Sequence, residues 1–282
     1  MIRLNGVFEG GGVKGIGLVG ALKRLEEKDI EFEGVGGTSA GAMIAALYAA
    51  GYTADELRDI LMHTDFKSLL DPSWPKWWDL YRHKGIHKGK KLYEWVYRLL
   101  QRKGVTTFKD LRIDLRIVAS DLTNREVLTF SPETHPTMKV AEAVRMSIGI
   151  PFFFEAYNFG EKLVVDGGIL TNYPLWIFSH SNKPVIGLKL VSEQEETELP
   201  TAPTSFAGYI TAVLATMMEA HDKENESRSG WAKTIHIRTG TVATTNFKLS
   251  DSDKHSLYNS GYVAATQFLE GRGRDMLRDT SA

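Results

Sequence analysis

The residues that decide the fold are 32–50, which read FEGVGGTSAGAMIAALYAA. Phe32–Gly37 is a short strand candidate, and the small and apolar run Ser39–Ala50 predicts a buried helix. Between them lies Gly37-Thr38-Ser39-Ala40-Gly41, the pattern G-x-S-x-G at a strand-to-helix turn. Such a turn needs small neighbours because the chain folds back on itself, and it lifts the serine oxygen clear of the sheet. The alternative is an ordinary tight turn in which Ser39 caps the helix.

A second glycine-rich turn lies closer to the start of the sequence. Leu4–Glu9 is typical of a buried strand, and Gly10-Gly11-Gly12-Val13-Lys14-Gly15 leads from it into a predicted helix, Lys14–Lys28. Backbone N–H groups in such a turn can bind an anion, either a phosphate or the oxyanion of an acyl-transfer intermediate. The same six residues fit G-x-G-x-x-G, with Glu31 or Glu33 placed like a ribose-binding acid, so a nucleotide-binding protein is an alternative.

A third motif, Asp166-Gly167-Gly168, follows the strand candidate Leu163–Val165. An aspartate at the end of a strand, followed by two residues without side chains, can approach another loop closely. Taken alone, the motif is equally typical of an Asx turn.

Strand and helix candidates alternate along the whole chain. This pattern favours one α/β domain over residues 1–282, with a central, mostly parallel sheet and helices on both faces. Thr53 and Glu56 form a capping box at the start of a helix. Asp71–Lys91 is predicted to be irregular, and Glu193–Pro203 to be a surface loop. The remaining predicted helices are Leu92–Gln101, Met138–Ser147, Phe206–Ala220 and Asp251–Leu269, and the remaining strands are Leu115–Ser120, Val127–Phe130, Val185–Leu190 and Thr234–Ile237.

The composition narrows the class of protein further. Apolar residues make up 43% and charged residues 24%, which is typical of a soluble globular chain with a sizeable core. The net charge of −1 gives no global attraction to nucleic acid. The absence of cysteine excludes disulfides and thiolate chemistry, and it favours a cytoplasmic location. No targeting segment is visible, and the uncharged stretches Gly34–Ala54 and Leu199–Met218 are interrupted by glycine or proline, so no transmembrane segment is expected.

Together, the three motifs resemble those of the patatin-like phospholipase family. In that family a G-G-G-x-K/R-G loop, a G-x-S-x-G turn and a D-G-G/A motif follow in this order. The segments Ala143–Ser147, Pro151–Phe153 and Asn172–Pro174 also resemble the family. The resemblance covers residues 4–191 as a catalytic core, and residues 204–282 are expected to complete the fold with helices and a strand.

The resemblance implies a lipid acyl-ester hydrolase of the phospholipase A or lysophospholipase type. Ser39 would attack the ester carbonyl, and Asp166 would take its proton. An aspartate whose pKa is near ~3.9 is a poor base for a hydroxyl, so the site must compensate. The oxyanion hole would be the N–H groups of Gly11 and Gly12. The remaining members of the loop are Gly10 and Gly15, which would shape it, and Lys14. Lys14 would help to hold a phosphate head group, or it is simply a solvated residue in the first turn of the helix.

Two further expectations concern the substrate and cofactors. Neutral acylglycerols or small esters are an alternative substrate class. The family resemblance calls for no cofactor and no metal. The resemblance implies a two-residue catalytic pair rather than a triad, and none of the eight histidines stands in a recognisable triad motif.

An aromatic cluster precedes a basic stretch in the middle of the chain. The cluster consists of Trp74, Trp77, Trp78 and Tyr81, and Arg82–Lys103 follows it with a strong excess of lysine and arginine. Aromatic and cationic side chains together suit the interface of a membrane, where the protein would bind peripherally, and they also suit a flap over the substrate. The alternative is ordinary packing of the tryptophans against the domain.

Overall fold

The computed structural model describes residues 2–72, 84–192 and 232–271, together with five positions between 209 and 217. Ten strands are numbered in chain order: β1 (Ile2–Phe8), β2 (Ile30–Thr38), β3 (Gly85–His87), β4 (Asp114–Asp121), β5 (Glu126–Phe130), β6 (Phe152–Phe154), β7 (Tyr157–Phe159), β8 (Lys162–Asp166), β9 (Val185–Val191) and β10 (Lys233–Arg238). The α-helices are α1 (Ile16–Glu26), α2 (Ser39–Ala49), α3 (Ala54–His63), α4 (Lys90–Arg102), α5 (Val140–Ser147) and α6 (Asp251–Glu270).

The central sheet has eight strands, and most of its pairs are parallel. Its order is β10-β9-β1-β2-β4-β8-β7, and β5 also pairs with β4. The pairs from β10 to β4 are parallel, whereas β5, β7 and β8 are antiparallel to their neighbours. The prediction of an α/β fold with a mostly parallel sheet is therefore confirmed. A separate two-stranded parallel sheet joins β3 to β6.

The apolar core lies on both faces of the sheet because successive strand residues point in opposite directions. Leu4 and Phe8 of β1 belong to the larger cluster, which includes the buried faces of the helices, whereas Val7 belongs to a second cluster. Val118 of β4 also belongs to the second cluster, which the short 3-10 helix Leu175–Phe178 covers. The sheet that carries the site is therefore covered on both sides.

The first and last helices pack closely against each other. A Cβ atom on Gly20 of α1 would overlap the carbonyl oxygen of Tyr258, and one on Gly261 of α6 would overlap that of Gly17. Glycine at these positions lets the two backbones approach, which places the C-terminal helix against the N-terminal one.

Several predicted elements have the expected bounds within a few residues, and others differ. The capping box is present: the Thr53 hydroxyl accepts the Glu56 N–H at 3.2 Å, and the Glu56 carboxylate accepts the Thr53 N–H at 2.9 Å. The helix expected from Lys14 begins instead with a 3-10 turn, Gly12–Gly15, before α1. The prediction that Asp71–Lys91 is irregular throughout is wrong at its end, because β3 pairs there with β6 and α4 begins at Lys90.

Other expectations fall wholly or mostly outside the described residues. Trp74, Trp77, Trp78 and Tyr81 lie outside them, as does the whole loop expected at Glu193–Pro203. Of the helix predicted at Phe206–Ala220, the five described positions are helical.

Candidate active site

Strand β4 determines how the two principal site residues meet. Its residues 114–118 pair with β2, its residues 119–121 pair with β8, and β5 pairs with residues 117–121. Because the β5 pairing overlaps both of the others, β5 occupies one edge of β4, and β2 and β8 share the other. Thr38 stands opposite Val118, and Asp166 stands opposite Ala119. Ser39 and Asp166, distant in sequence, are therefore brought to adjacent positions along one strand.

Ser39 is the first residue of α2 and has a strained backbone. Its φ of +54° lies in the left-handed region, which is uncommon for residues other than glycine. A Cβ on Gly37 or on Gly41 would overlap the carbonyl oxygen of Phe8 at the end of β1. The two glycines of the G-x-S-x-G motif thus make room for the neighbouring strand, and the turn presents Ser39 at the N-terminus of a helix, which favours negative charge.

A short hydrogen bond joins the two side chains. Ser39 Oγ donates to Asp166 Oδ2 at 2.7 Å, and the Gly168 N–H donates to Asp166 Oδ1 at 2.8 Å. Both side chains are buried. Burial raises the pKa of Asp166 to about 7, while the hydrogen bonds from Gly168 and Ser39 act in the opposite direction. Burial thus supplies compensation of the kind that the sequence analysis requires of the site, because it brings the pKa of this aspartate near that of imidazole.

The end of α5 contacts both members of the pair. Ser147 Oγ accepts the Ser39 N–H at 2.9 Å and donates to the Val118 carbonyl at 2.6 Å. Two residues further on, the Gly149 carbonyl accepts the Asp166 N–H at 2.9 Å. Sequence reasoning assigned no role to these residues; the available signal was the family-like stretch that ends at Ser147.

The loop Gly10–Gly15 lies against Ser39. The Gly10 N–H donates to the Asn172 carbonyl at 3.1 Å, and Asn172 Nδ2 donates to the Gly10 carbonyl at 3.2 Å. A Cβ on Gly10 would lie 3.1 Å from the Ser39 Cβ, and one on Gly15 would lie 3.2 Å from the Ala40 Cβ. The motif that contains Asp166 is thus followed by a residue, Asn172, that fastens the glycine loop beside Ser39. Its role was not foreseen.

The N–H groups of the loop are not all available to a ligand. The Val13 N–H donates to the Thr244 carbonyl at 3.2 Å, and the Lys14 N–H donates to the Gly11 carbonyl at 3.1 Å. Within the described residues, the N–H groups of Gly11 and Gly12 have no hydrogen-bond acceptor. These two adjacent backbone donors belong to the loop that contacts Ser39 at Gly10.

The described residues show no features of a histidine triad, a metal site or a membrane-spanning helix. Within residues 2–72, 84–192 and 232–271, no histidine shares a hydrogen bond with Ser39 or Asp166. The same described residues contain no group of three or more side chains arranged to hold a metal ion. No helix in the described part of the chain has the length and hydropathy to cross a bilayer.

The fold and the site define an α/β protein that holds a buried serine–aspartate pair where two strands of its sheet end. The chain belongs to the patatin-like phospholipase family, a family of hydrolases: the model of that family matches residues 6–179. The resemblance inferred from the three motifs is confirmed.

Known proteins similar to this chain include a probable viral lipid hydrolase, a bacterial protein and a bacterial crystal structure. The uncharacterized protein YqhO of Bacillus subtilis is 38% identical over 95% of this chain and 98% of its own length. The probable lipid hydrolase 463L of Invertebrate iridescent virus 6 is 26% identical over 60% of this chain and 61% of its own length. The crystal structure of VipD from Legionella pneumophila has a TM-score of 0.59 at 19% identity, and the match covers 96% of this chain and 67% of VipD. The last comparison shows the shared fold.

Proposed function

We propose that this protein hydrolyses acyl esters of lipids, with Ser39 as nucleophile and Asp166 as general base. The hydrogen bond of 2.7 Å between Ser39 Oγ and Asp166 Oδ2 is the observation that carries the proposal. Membership of a family of lipid hydrolases supports the substrate class. We assign residues 4–191 as the catalytic core of a single domain, with the later residues completing it, since Thr244 contacts the glycine loop.

In the first half of the reaction, Ser39 Oγ attacks the acyl carbonyl carbon and its proton passes to Asp166 Oδ2. The carbonyl oxygen becomes an oxyanion, which the N–H groups of Gly11 and Gly12 bind. The tetrahedral intermediate then collapses, the carbon–oxygen bond to the alcohol breaks, and Asp166 returns the proton to the leaving alcohol. The product of this half is an acyl ester on Ser39.

In the second half, water attacks the acyl-enzyme while Asp166 accepts a proton from it. When this second intermediate collapses, the bond between the acyl carbon and Ser39 Oγ breaks and Asp166 passes its proton to Oγ, which releases the carboxylic acid and restores the Ser39 hydroxyl. A pKa of about 7 makes Asp166 a stronger base than an exposed aspartate by about three pKa units, roughly 4 kcal/mol in proton affinity. The pair of Ser39 and Asp166 therefore needs no histidine imidazole as its general base.

The nucleotide-binding alternative is less well supported. A dinucleotide pyrophosphate is bound by several N–H groups of such a loop and helix. Here the N–H groups of Gly10, Val13 and Lys14 already donate within the protein, and the loop lies against Ser39. Two remaining donors match one oxyanion better than a pyrophosphate.

The test replaces Ser39 by alanine and measures hydrolysis of a soluble chromogenic acyl ester and of phospholipid. We expect turnover of both to fall by several orders of magnitude while the melting temperature is kept, because one oxygen is lost from a site of small residues. Ser131→Ala, which removes another buried hydroxyl, is the matched control and should keep activity. Wild-type rates in Ser39→Ala would refute the assignment.

A further inference from the structure

The two backbone donors of the proposed oxyanion hole lie between two points at which the glycine loop is held. Before them, the Gly10 N–H donates to the Asn172 carbonyl, and the Gly10 carbonyl accepts Asn172 Nδ2. After them, the Val13 N–H donates to the Thr244 carbonyl at 3.2 Å. Glycine has no side chain to pack and much conformational freedom, so the directions of the two donors depend on these two points.

The second of these points belongs to a distant part of the chain. Thr244 lies in the loop between β10 and α6, residues 239–250, here called the β10–α6 loop. This loop lies beyond residues 4–191, the catalytic core of the proposed function. Gly12 has a φ of +55°, and a Cβ added to it would overlap the Thr244 carbonyl oxygen and lie 2.8 Å from the Thr244 methyl carbon. One of the two donor residues therefore packs directly against Thr244.

The position of Thr244 depends in turn on an aromatic contact. Two backbone hydrogen bonds of 3.0 Å form turns within residues 243–247. At the end of these turns, the Phe247 ring stacks on the Phe153 ring, with centroids 5.2 Å apart and an angle of 6° between the planes. Both rings are half-buried. The stacked pair therefore fixes the β10–α6 loop only three residues after Thr244.

Phe153 belongs to the segment that holds the catalytic aspartate. It lies in β6, and its N–H donates to the Ile150 carbonyl at 3.2 Å. The residue before Ile150 is Gly149, whose carbonyl accepts the Asp166 N–H at 2.9 Å. The β10–α6 loop thus contacts both the glycine loop and the segment that holds Asp166.

We infer that the β10–α6 loop positions the oxyanion donors relative to the catalytic pair, with Thr244 and Phe247 as positioning residues. Thr244 holds the end of the glycine loop, and Phe247 holds Thr244. The donors act on the charged oxygen of the tetrahedral intermediate more than on the neutral ester carbonyl. A displaced loop should therefore slow the chemical step more than it weakens substrate binding. The inference rests on the proposed function, since it concerns the oxyanion hole of that reaction.

The test measures kcat and KM of Phe247→Ala on a soluble acyl ester, together with the melting temperature. Loss of one oxyanion donor costs about 10²–10³-fold in kcat, so displacement of the donors should cost less, roughly tenfold, with KM changed by less than about twofold. Phe247→Tyr keeps a stacking ring and should restore kcat. Phe159→Ala is the matched control, because it removes another half-buried ring, 5.6 Å from the Phe130 ring and opposite the end of β8 that is distant from Asp166. It should keep the parent kcat even where its melting temperature falls.

A second pair of variants changes the loop without removing a ring. Thr244→Gly removes the methyl group that packs on Gly12 and loosens the backbone at the carbonyl that accepts the Val13 N–H, so kcat should fall several-fold. Thr241→Gly makes the same change at an exposed position of the same loop and should keep the parent kcat.

A transition-state analogue supplies a readout that loss of packing alone would not move. A trifluoromethyl ketone with the acyl chain of the ester forms an adduct with Ser39 whose oxygen takes the place of the oxyanion. The Ki of this ketone should rise in Phe247→Ala and in Thr244→Gly by the factor by which kcat falls.

Parent-like kcat in Phe247→Ala or in Thr244→Gly would overturn the inference. An equal loss in Phe159→Ala would also overturn it, by assigning the effect to a general loosening of the fold. A raised KM at constant kcat would assign Phe247 to substrate binding instead, and a fall in kcat without a rise in Ki would separate the loop from the oxyanion hole. Ser39→Ala judges the proposed function separately, since its loss of activity does not depend on the loop variants.

Discussion

Two buried aspartates lie at opposite ends of the short pairing between β4 and β8, and their pKa values are shifted in opposite directions. Asp121 stands opposite Val164, and Asp166 stands opposite Ala119. Burial opposes ionisation at Asp121, but the N–H groups of Thr123 and Asn124, the Asn124 amide and the Lys162 ammonium lower its pKa overall. Asp166 has one N–H and one hydroxyl as donors, and burial raises its pKa to about 7.

This difference shows that the hydrogen-bond donors around a buried carboxylate, and not its burial alone, determine the direction of its pKa shift and therefore its role. Asp121 is surrounded by fixed donors and a cation, so it stays ionised and closes the turn between β4 and β5. Asp166 accepts a hydrogen bond from the hydroxyl of Ser39, which is the group that would react. Both aspartates accept the N–H group two residues further along the chain, so the Asx turn that the sequence leaves open for Asp166 is present there as well as at Asp121.

The largest expected effect separates the two aspartates by activity. Asp166→Asn should lower turnover of a soluble acyl ester by about 10²–10⁴-fold, because an amide cannot accept the Ser39 proton. Asp121→Asn should leave turnover close to that of the parent, since Asp121 is outside the proposed site. Steady-state kinetics of the two variants checks this. Equal losses of turnover in both variants would contradict the assignment of a catalytic role to Asp166 alone.

The same two substitutions should change the melting temperature in opposite directions. The raised pKa of folded Asp166 means that the folded state binds more protons than the unfolded state between about pH 4 and pH 7, so its contribution to stability falls as the pH rises through this window. Asp166→Asn removes this penalty, and its melting temperature should gain on the parent from pH 5 to pH 8. Asp121 contributes stability in its ionised form, so Asp121→Asn should melt lower at neutral pH. An Asp166→Asn variant that gains nothing between pH 5 and pH 8 would contradict the assignment.

The sequence predicts much of the fold and the two central residues of the site. Long periodic or apolar segments such as α2 and β9 are recognisable because their burial patterns extend over many residues. Strands β3, β6 and β7 have three residues each, too few to show a period, and their pairing partners are distant in sequence. The left-handed backbone of Phe152 likewise has no signature in its residue type.

The supporting contacts of the site were not predictable for a related reason. Ser147 and Gly149 act on Ser39 and Asp166 only through the register that β4 imposes, and Asn172 acts through a loop contact across the sheet. Motifs report residues adjacent in sequence, whereas these contacts depend on three-dimensional placement. The proton affinity of Asp166 also follows from burial, which no motif encodes.

A smaller effect is expected from the hydrogen bond between the Ser39 N–H and Ser147 Oγ. Ser147→Ala leaves the Ser39 N–H and the Val118 carbonyl without their partner, so we expect kcat to fall by roughly tenfold with KM nearly unchanged. Ser147→Thr keeps a hydroxyl and should restore part of kcat. Ser131→Ala, which loses a buried hydroxyl elsewhere, is the control. If Ser147→Ala and Ser131→Ala have the same kcat, Ser147 does not position Ser39.

The most direct test of the central claim measures how fast a fluorophosphonate probe labels the protein across a range of pH. The adduct, located by mass spectrometry, should lie on Ser39. Its rate of formation should fall about tenfold per pH unit below pH 7, because only the ionised form of Asp166 accepts the Ser39 proton. In Asp166→Asn the labelling should be slow and should lack this dependence. An adduct on another residue, or a wild-type rate that stays constant down to about pH 4, where an ordinary aspartate titrates, would contradict the account.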